Sequence, residues 1–226
     1  MRSRVVPVIG LSVLALTLQC TLTSSATAQP PGPVAVHQGD SGAVVVPKAP
    51  SGTVCARNNG VPNGNGITAQ RFERNFRQYT SRAAADFTPR RRCVVTSVDI
   101  TGQWGPGTAN SITVSIRGDL LGRPGATKCK AILAAPGPNF TVPVSDCTLR
   151  RGRTYWLAVQ VDQNFGTQGQ WFWTVTDERT GLNDAWKNRR DGFGTGCTDW
   201  TYLETCFDWT AEAVFSVNRA EAHRPA

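Results

Sequence analysis

From residue 93 onward, apolar and polar positions alternate in short runs: VVTSVDI, SITVSIRG, KAILAA, FTVPVS, TYWLAVQVD, QWFWTVT and EAVFSVN. Each run is rich in Val, Ile, Thr or aromatic residues and is bounded by Gly, Pro, Asn or Asp. That is the pattern of strands with one buried and one wet face. A succession of such runs, with no helical stretch of comparable length, predicts an all-β chain folded as an antiparallel sandwich or barrel.

The signal is weaker before residue 93. Phe72, Phe76 and Tyr79 fall at helix-like spacing within residues 68–80, which reads equally as a helix or as a strand edge plus loop. Residues 56–66, RNNGVPNGNGI, are turn chemistry throughout and predict a loop, because Asn and Gly tolerate positive φ. Residues 29–52 hold Pro30, Pro31, Pro33, Pro47 and Pro50 and predict an extended leader that buries little. The folded domain is then expected over residues 53–219, followed by a short tail, 220–226.

At the N-terminus, Arg2 and Arg4 precede a mostly apolar run from Val5 to Leu18, and Ala26, Thr27 and Ala28 form the small-x-small pattern of a cleavage site. Residues 1–28 therefore read as a signal peptide, with a mature chain from about Gln29. A lipid anchor at Cys20 is disfavoured by the large polar Gln19 before it. A membrane helix is disfavoured because the run is shorter than the roughly 20 residues a bilayer requires.

Export changes the reading of the cysteines. Removing Cys20 leaves Cys55, Cys93, Cys129, Cys147, Cys197 and Cys206, an even set that predicts three disulfides in an oxidising compartment. Of the about 15 pairings six cysteines allow, the economical one joins neighbours: Cys55 with Cys93, Cys129 with Cys147 and Cys197 with Cys206. A zinc site is not expected, since no CxxC occurs and His37 and His223 are the only histidines.

The composition, 40% hydrophobic and 18% charged over 226 residues, suits an ordinary globular domain. The formal charge is +8, with small basic clusters at residues 90–92, 150–153 and 187–190. A positive exported chain suits anionic envelope polymers. Nucleic acid is not expected, since no nucleic-acid motif accompanies the basic clusters.

Several segments together resemble a jelly-roll-like module of secreted bacterial proteins: AADF at Ala84 to Phe87, SVDITGQW at Ser97 to Trp104, GRPG at Gly122 to Gly125, TYWLAVQ, GQWFW, and GFGTGC within the stretch from Ala185 to Trp200. The likeness spans roughly residues 66–217 and implies a disulfide-stabilised antiparallel β-sandwich. Ala85 departs from the pattern, which has an ADDF segment there. Modules of similar outline often hold a structural calcium on hard oxygen ligands. The acids to inspect for it are Asp86, Asp184, Asp191 and Asp199, and no other cofactor is expected.

Histidine-based catalysis is not expected, because His37 and His223 lie near the chain ends and no GxSxG, HExxH, phosphate-loop or EF-hand pattern occurs. The better hypothesis rests on aromatics, since six of the seven tryptophans follow residue 155. Trp171 and Trp173 must share one face of their strand. Were that face outward, it would be a platform for sugar rings, with Trp186 and Trp200 beside it, Asp184 and Asn188 supplying hydrogen bonds, and Lys187, Arg189 and Arg190 supplying charge. Were it inward, the pair would be core. The reading is a monomeric, exported, non-catalytic module for a glycan or envelope polymer, with no membrane span after cleavage. Its rivals are a hydrolase using two of the carboxylates among Asp162, Asp177, Glu178, Asp184, Asp191, Asp199, Glu204 and Asp208, and a purely structural exported protein.

Overall fold

The computed structural model describes residues 32–39, 53–58, 60–104, 108–134, 137 and 139–220. The expected signal peptide, Cys20 and His223 lie outside them. The period-two runs become strands of an antiparallel, jelly-roll-like β-sandwich. Its larger sheet has the order β14 (Thr201–Tyr202), β13 (Ala185–Lys187), β5 (Arg82–Phe87), β11 (Tyr155–Asp162), β8 (Ser111–Leu120), β9 (Arg123–Ala134), with β4 (Gln70–Arg71) parallel to the end of β11.

Two smaller sheets carry the other strands. One has the order β10 (Phe140–Leu149), β6 (Cys93–Ile100), β16 (Phe215–Arg219), β2 (Thr53–Asn58). The second has the order β1 (Val36–His37), β3 (Pro62–Thr68), β12 (Trp171–Thr176), β15 (Glu212–Ala213), with β7 (Gly102–Trp104) also on β12. The chain crosses between them twice, from β6 to β7 at Thr101 and from β15 to β16 at Val214. There the Thr174 N–H donates to the Thr101 carbonyl (3.0 Å) and the Val214 N–H to the Thr174 carbonyl (2.9 Å).

One core joins the sheets. Ile112, Val114 and Ile116 of β8 and Leu157, Val159 and Val161 of β11 meet Val98, Ile100, Val142, Trp171, Trp173 and Phe215. The alternation is plain on β8, where those three residues are buried while Ser111, Thr113, Ser115 and Arg117 face outward.

Two stretches differ from the sequence reading, and a third takes one of the two forms it left open. Residues 56–66 are largely strand, because Gly66 lets β3 approach β12: a Cβ there would stand 2.7 Å from both Phe172 Cβ and Gln103 Nε2. Part of the proline-rich stretch belongs to the sandwich, since β1 pairs with β3 and the Val34 N–H donates to Gln170 Oε1 at 3.0 Å. Residues 68–80 are a strand edge, β4, followed by a 3₁₀ turn at Arg74–Tyr79. Phe76 and Tyr79 of that turn pack on Phe165 and Phe193, with ring centroids 5.0 Å apart in each pair.

The cysteines pair as neighbours. Cys55–Cys93 joins β2 to β6, Cys129–Cys147 joins the larger sheet to the smaller at β9 and β10, and Cys197–Cys206 ties the loop after β13 to helix α2 (Leu203–Phe207). Three disulfides fit a protein of an oxidising, extracellular environment.

The β8–β9 hairpin turns on two residues, Leu121 and Gly122, both left-handed at φ 53° and 77°. Such a turn favours Asn or Gly at its first position, and leucine there costs about 1 kcal/mol. The tip is nonetheless held firmly. The Tyr202 hydroxyl donates to the Gly122 carbonyl (2.7 Å), the Gly122 N–H to Asp119 Oδ2 (3.1 Å), and Arg123 Nη1 to the Trp200 carbonyl (3.0 Å).

Candidate functional site

The tryptophan platform does not form. Trp171, Trp173 and Trp186 have no exposed surface, and Trp200 is 6% exposed. The Trp171–Trp173 face turns inward: Trp173 Nε1 donates to the Val214 carbonyl (3.0 Å), and the Trp171 ring lies where a side chain at Gly102 would be. Trp186 is sealed by Phe193 and Phe207 and donates to the Thr68 carbonyl (2.8 Å). Trp200 sits in a separate small cluster with Ala84, Trp156, Ala158 and Ala185, on the outer face of the larger sheet.

The polar residues expected to assist that platform hold the structure together. Asn188 is fully buried, donates to the Gln78 (2.6 Å) and Thr80 (3.0 Å) carbonyls, and accepts from the Phe193 N–H. Lys187 lies 4.6 Å over the Trp200 ring and pairs with Asp199 at 3.2 Å. The Asp199 carboxyl is held below its ordinary range, chiefly by the Trp200 N–H and then by Lys187. Arg190 is exposed.

The acids do not form one candidate centre. Asp191 accepts from the Gly196 N–H (2.9 Å), away from Asp199 on Lys187. Among the described residues, no group of three or more His, Cys, Asp and Glu side chains is arranged to hold a metal ion. Asp86 and Asp184 do interact electrostatically with each other and with Glu212. Asp184 is buried and accepts from the Ala213 N–H (2.6 Å), and burial drives its carboxyl well above the ordinary range. Glu212 Oε2 accepts from both the N–H and the hydroxyl of Thr180 (2.8 Å each). Asp86 is pushed up to about 7, first by burial and then by the Glu212 charge. It lines a cleft of about 520 Å³ with Arg57, Arg90, Thr88 and Thr180, and no second acid among the described residues lines that cleft. Two carboxylates facing one substrate, as glycoside hydrolysis requires, are not presented there. These acids staple the 177–184 loop to the sheet.

Farther along the larger sheet's outer face the chemistry is different. β4, β5, β8, β9 and β11 bring Arg71, Arg82, Arg117 and Lys130 to one depression of about 380 Å³, lined also by Ser111, Thr113, Ser115, Thr127, Gln160 and Ile132, with Asp162 as its lone acid and no aromatic side chain among the described residues. Asp162 is bound to Arg71 at 3.1 Å. Arg82 Nε donates to Gln160 Oε1 (3.1 Å) and Arg117 Nη1 to the Thr127 hydroxyl (2.8 Å). Arg117 Nε is buried with no hydrogen-bond partner among the described residues. Burial, and after it the Arg82 charge, hold the Arg117 guanidinium below its ordinary range. An anion over this face would relieve that repulsion. Alternation along SITVSIRG placed Ser111, Thr113, Ser115 and Arg117 on one face, but the cations of the other strands join them only through the strand register.

No family model matches the chain, and no curated protein matches it in sequence. Among solved structures it is similar to the cysteine protease and lectin-like domains of Cwp84, a surface-layer-associated protein of Clostridium difficile. That likeness has 13% identity and a TM-score of 0.42 over 61% of this chain and 31% of the other. The match thus spans about a third of the other protein's length, and no residue role is carried over from it.

Proposed function

We propose that this chain is an exported, non-catalytic binding module that holds an acidic glycan or envelope polymer on the open face of its larger sheet. The observation that carries the reading is the convergence of Arg71, Arg82, Arg117 and Lys130 on a floor of hydroxyls with one neutralised acid. Cations meet carboxylates and the Ser and Thr hydroxyls meet sugar hydroxyls. With no aromatic lining the depression, ring stacking on sugars or nucleobases has no platform there, so charge and hydrogen bonding do the recognising. The small aromatic cluster under Trp200 forms the wall that ends the site.

The test is a calorimetric titration of the oxidised protein with polygalacturonate oligomers and with neutral glucan oligomers, at low and at physiological salt. The acidic oligomer is expected to bind, with affinity falling as salt rises. An Arg82→Gln, Arg117→Gln double variant should lose about tenfold or more in affinity without change in unfolding temperature. Equal binding of both oligomers, or an unaffected double variant, refutes the reading.

A further inference from the structure

A second cationic surface, here joined to apolar side chains, occurs at one end of the sandwich, where three connections meet. Phe87, Tyr155 and Gly118 stand side by side in register on β5, β11 and β8, so the turns that follow or precede them lie together. The Gly152 N–H donates to the Pro89 carbonyl at 3.0 Å, joining the 88–92 and 150–154 connections. The two basic clusters of the sequence, Arg90, Arg91 and Arg92 with Arg150, Arg151 and Arg153, thereby form one collar, all of it exposed. Lys128 extends it into a depression of about 670 Å³ beside the hairpin, whose one lining acid, Asp119, is already engaged by Trp156 Nε1 (2.8 Å) and the Gly122 N–H. Among the described residues the ion pairs are Arg71 with Asp162 and Lys187 with Asp199, so no collar arginine is neutralised by one.

Beyond Gly118, at the same end of the sheet, β8 and β9 run on to their hairpin tip. Leu120 is 64% exposed and Leu121 94%, with Leu182, 39% exposed, close beside Gly122. A leucine here is unfavourable twice over, for its left-handed backbone and for its exposure. The fold nonetheless fixes the tip through Tyr202 and Arg123, presenting it rigidly.

We propose that this end of the molecule docks on an anionic lipid surface, with Leu120 and Leu121 entering the boundary between headgroups and acyl chains and the arginine collar meeting lipid phosphates. Two leucines are too small an apolar area for a stable protein interface, which takes roughly 800 Å² from each partner. They do suffice to supplement charge at a bilayer, where binding sums buried apolar area and attraction of each cation to anionic headgroups. A diffuse ring of long, unpaired cations also matches a layer of laterally mobile phosphates.

The test is co-sedimentation of the oxidised full chain with vesicles of phosphatidylcholine alone and of phosphatidylcholine mixed with phosphatidylglycerol. Binding is expected to the mixed vesicles and to be removed by salt. Leu121→Asn should weaken it about tenfold or more while unfolding temperature stays level or rises, since Asn suits the turn; Arg150→Gln with Arg153→Gln should weaken it comparably. The Arg82→Gln, Arg117→Gln variant should bind vesicles as the unaltered protein does, which separates this surface from the polymer site. Equal binding to neutral vesicles, full binding by Leu121→Asn, or no binding to either vesicle overturns the proposal, the last leaving the tip to a protein partner.

Discussion

Asp86→Asn is expected to remove a pH dependence built into the 177–184 loop. The folded protein holds the Asp86 carboxyl at about 7 against an ordinary 3.8, because the side chain is pressed against Gly181 and faces the Glu212 charge. Between these values the folded state keeps a proton that the unfolded chain releases. Stability is therefore fully present below about pH 4 and is lost as pH rises toward 7, at no more than about 1.4 kcal/mol per pH unit. The whole interval would amount to about 4 kcal/mol. Asp86 is only partly buried, so solvent screening reduces this to roughly 2 kcal/mol. Asn keeps the shape and the acceptor that faces the Leu182 N–H, and it has no charge to desolvate. Chemical denaturation of the oxidised proteins from pH 4 to pH 8 should show the two equally stable at the acidic end and the variant ahead by about 2 kcal/mol at the alkaline end. Parallel curves, or a variant that loses ground as pH rises, would refute the reasoning.

Two further outcomes concern the core and the last disulfide. Trp173→Ala removes a fully buried ring that packs on Phe215, and should cost about 3–5 kcal/mol in denaturant titrations while leaving polymer affinity at sub-saturating denaturant unchanged. Cys197→Ser with Cys206→Ser opens the shortest disulfide loop, a separation of 9 residues, and should cost about 2–3 kcal/mol by calorimetry.

How much of this architecture was legible follows from where the water is. Strands with one wet face, such as β8 with Ser111, Thr113 and Ser115, announce themselves by alternation. β5 does not, because RAAADF is covered on both sides: Ala83 and Ala85 face the main core and Ala84 the Trp200 cluster, and alanine carries little strand preference. β3 is disguised by glycines whose purpose is close approach to Phe172 and Gln103. For the tryptophans, period two shows that Trp171 and Trp173 share a face. It cannot show which face is roofed, since the roof consists of distant segments such as Phe215 and the Gly102 backbone. The cations of the sheet face and of the basic end are separated in the chain by tens of residues, and only the register of β4, β5, β8, β9 and β11 assembles them.

The disulfide pattern has a consequence for how the molecule is made. The three bonds close loops that follow one another and neither nest nor overlap, with separations of 38, 18 and 9 residues. In a chain that emerges N-terminus first, each second cysteine is the next one to appear after its partner. Among these six cysteines, once Cys20 is set aside with the expected signal peptide, the first thiols available to one another are therefore the native ones, and no wrong bond has to be broken before the right one forms. Thiol exchange, which takes seconds to hours when bonds must be reshuffled, need not set the pace of maturation. β16, by contrast, must return to β2 and β6 after nearly the whole domain has been synthesised, a non-local pairing of the kind that slows folding.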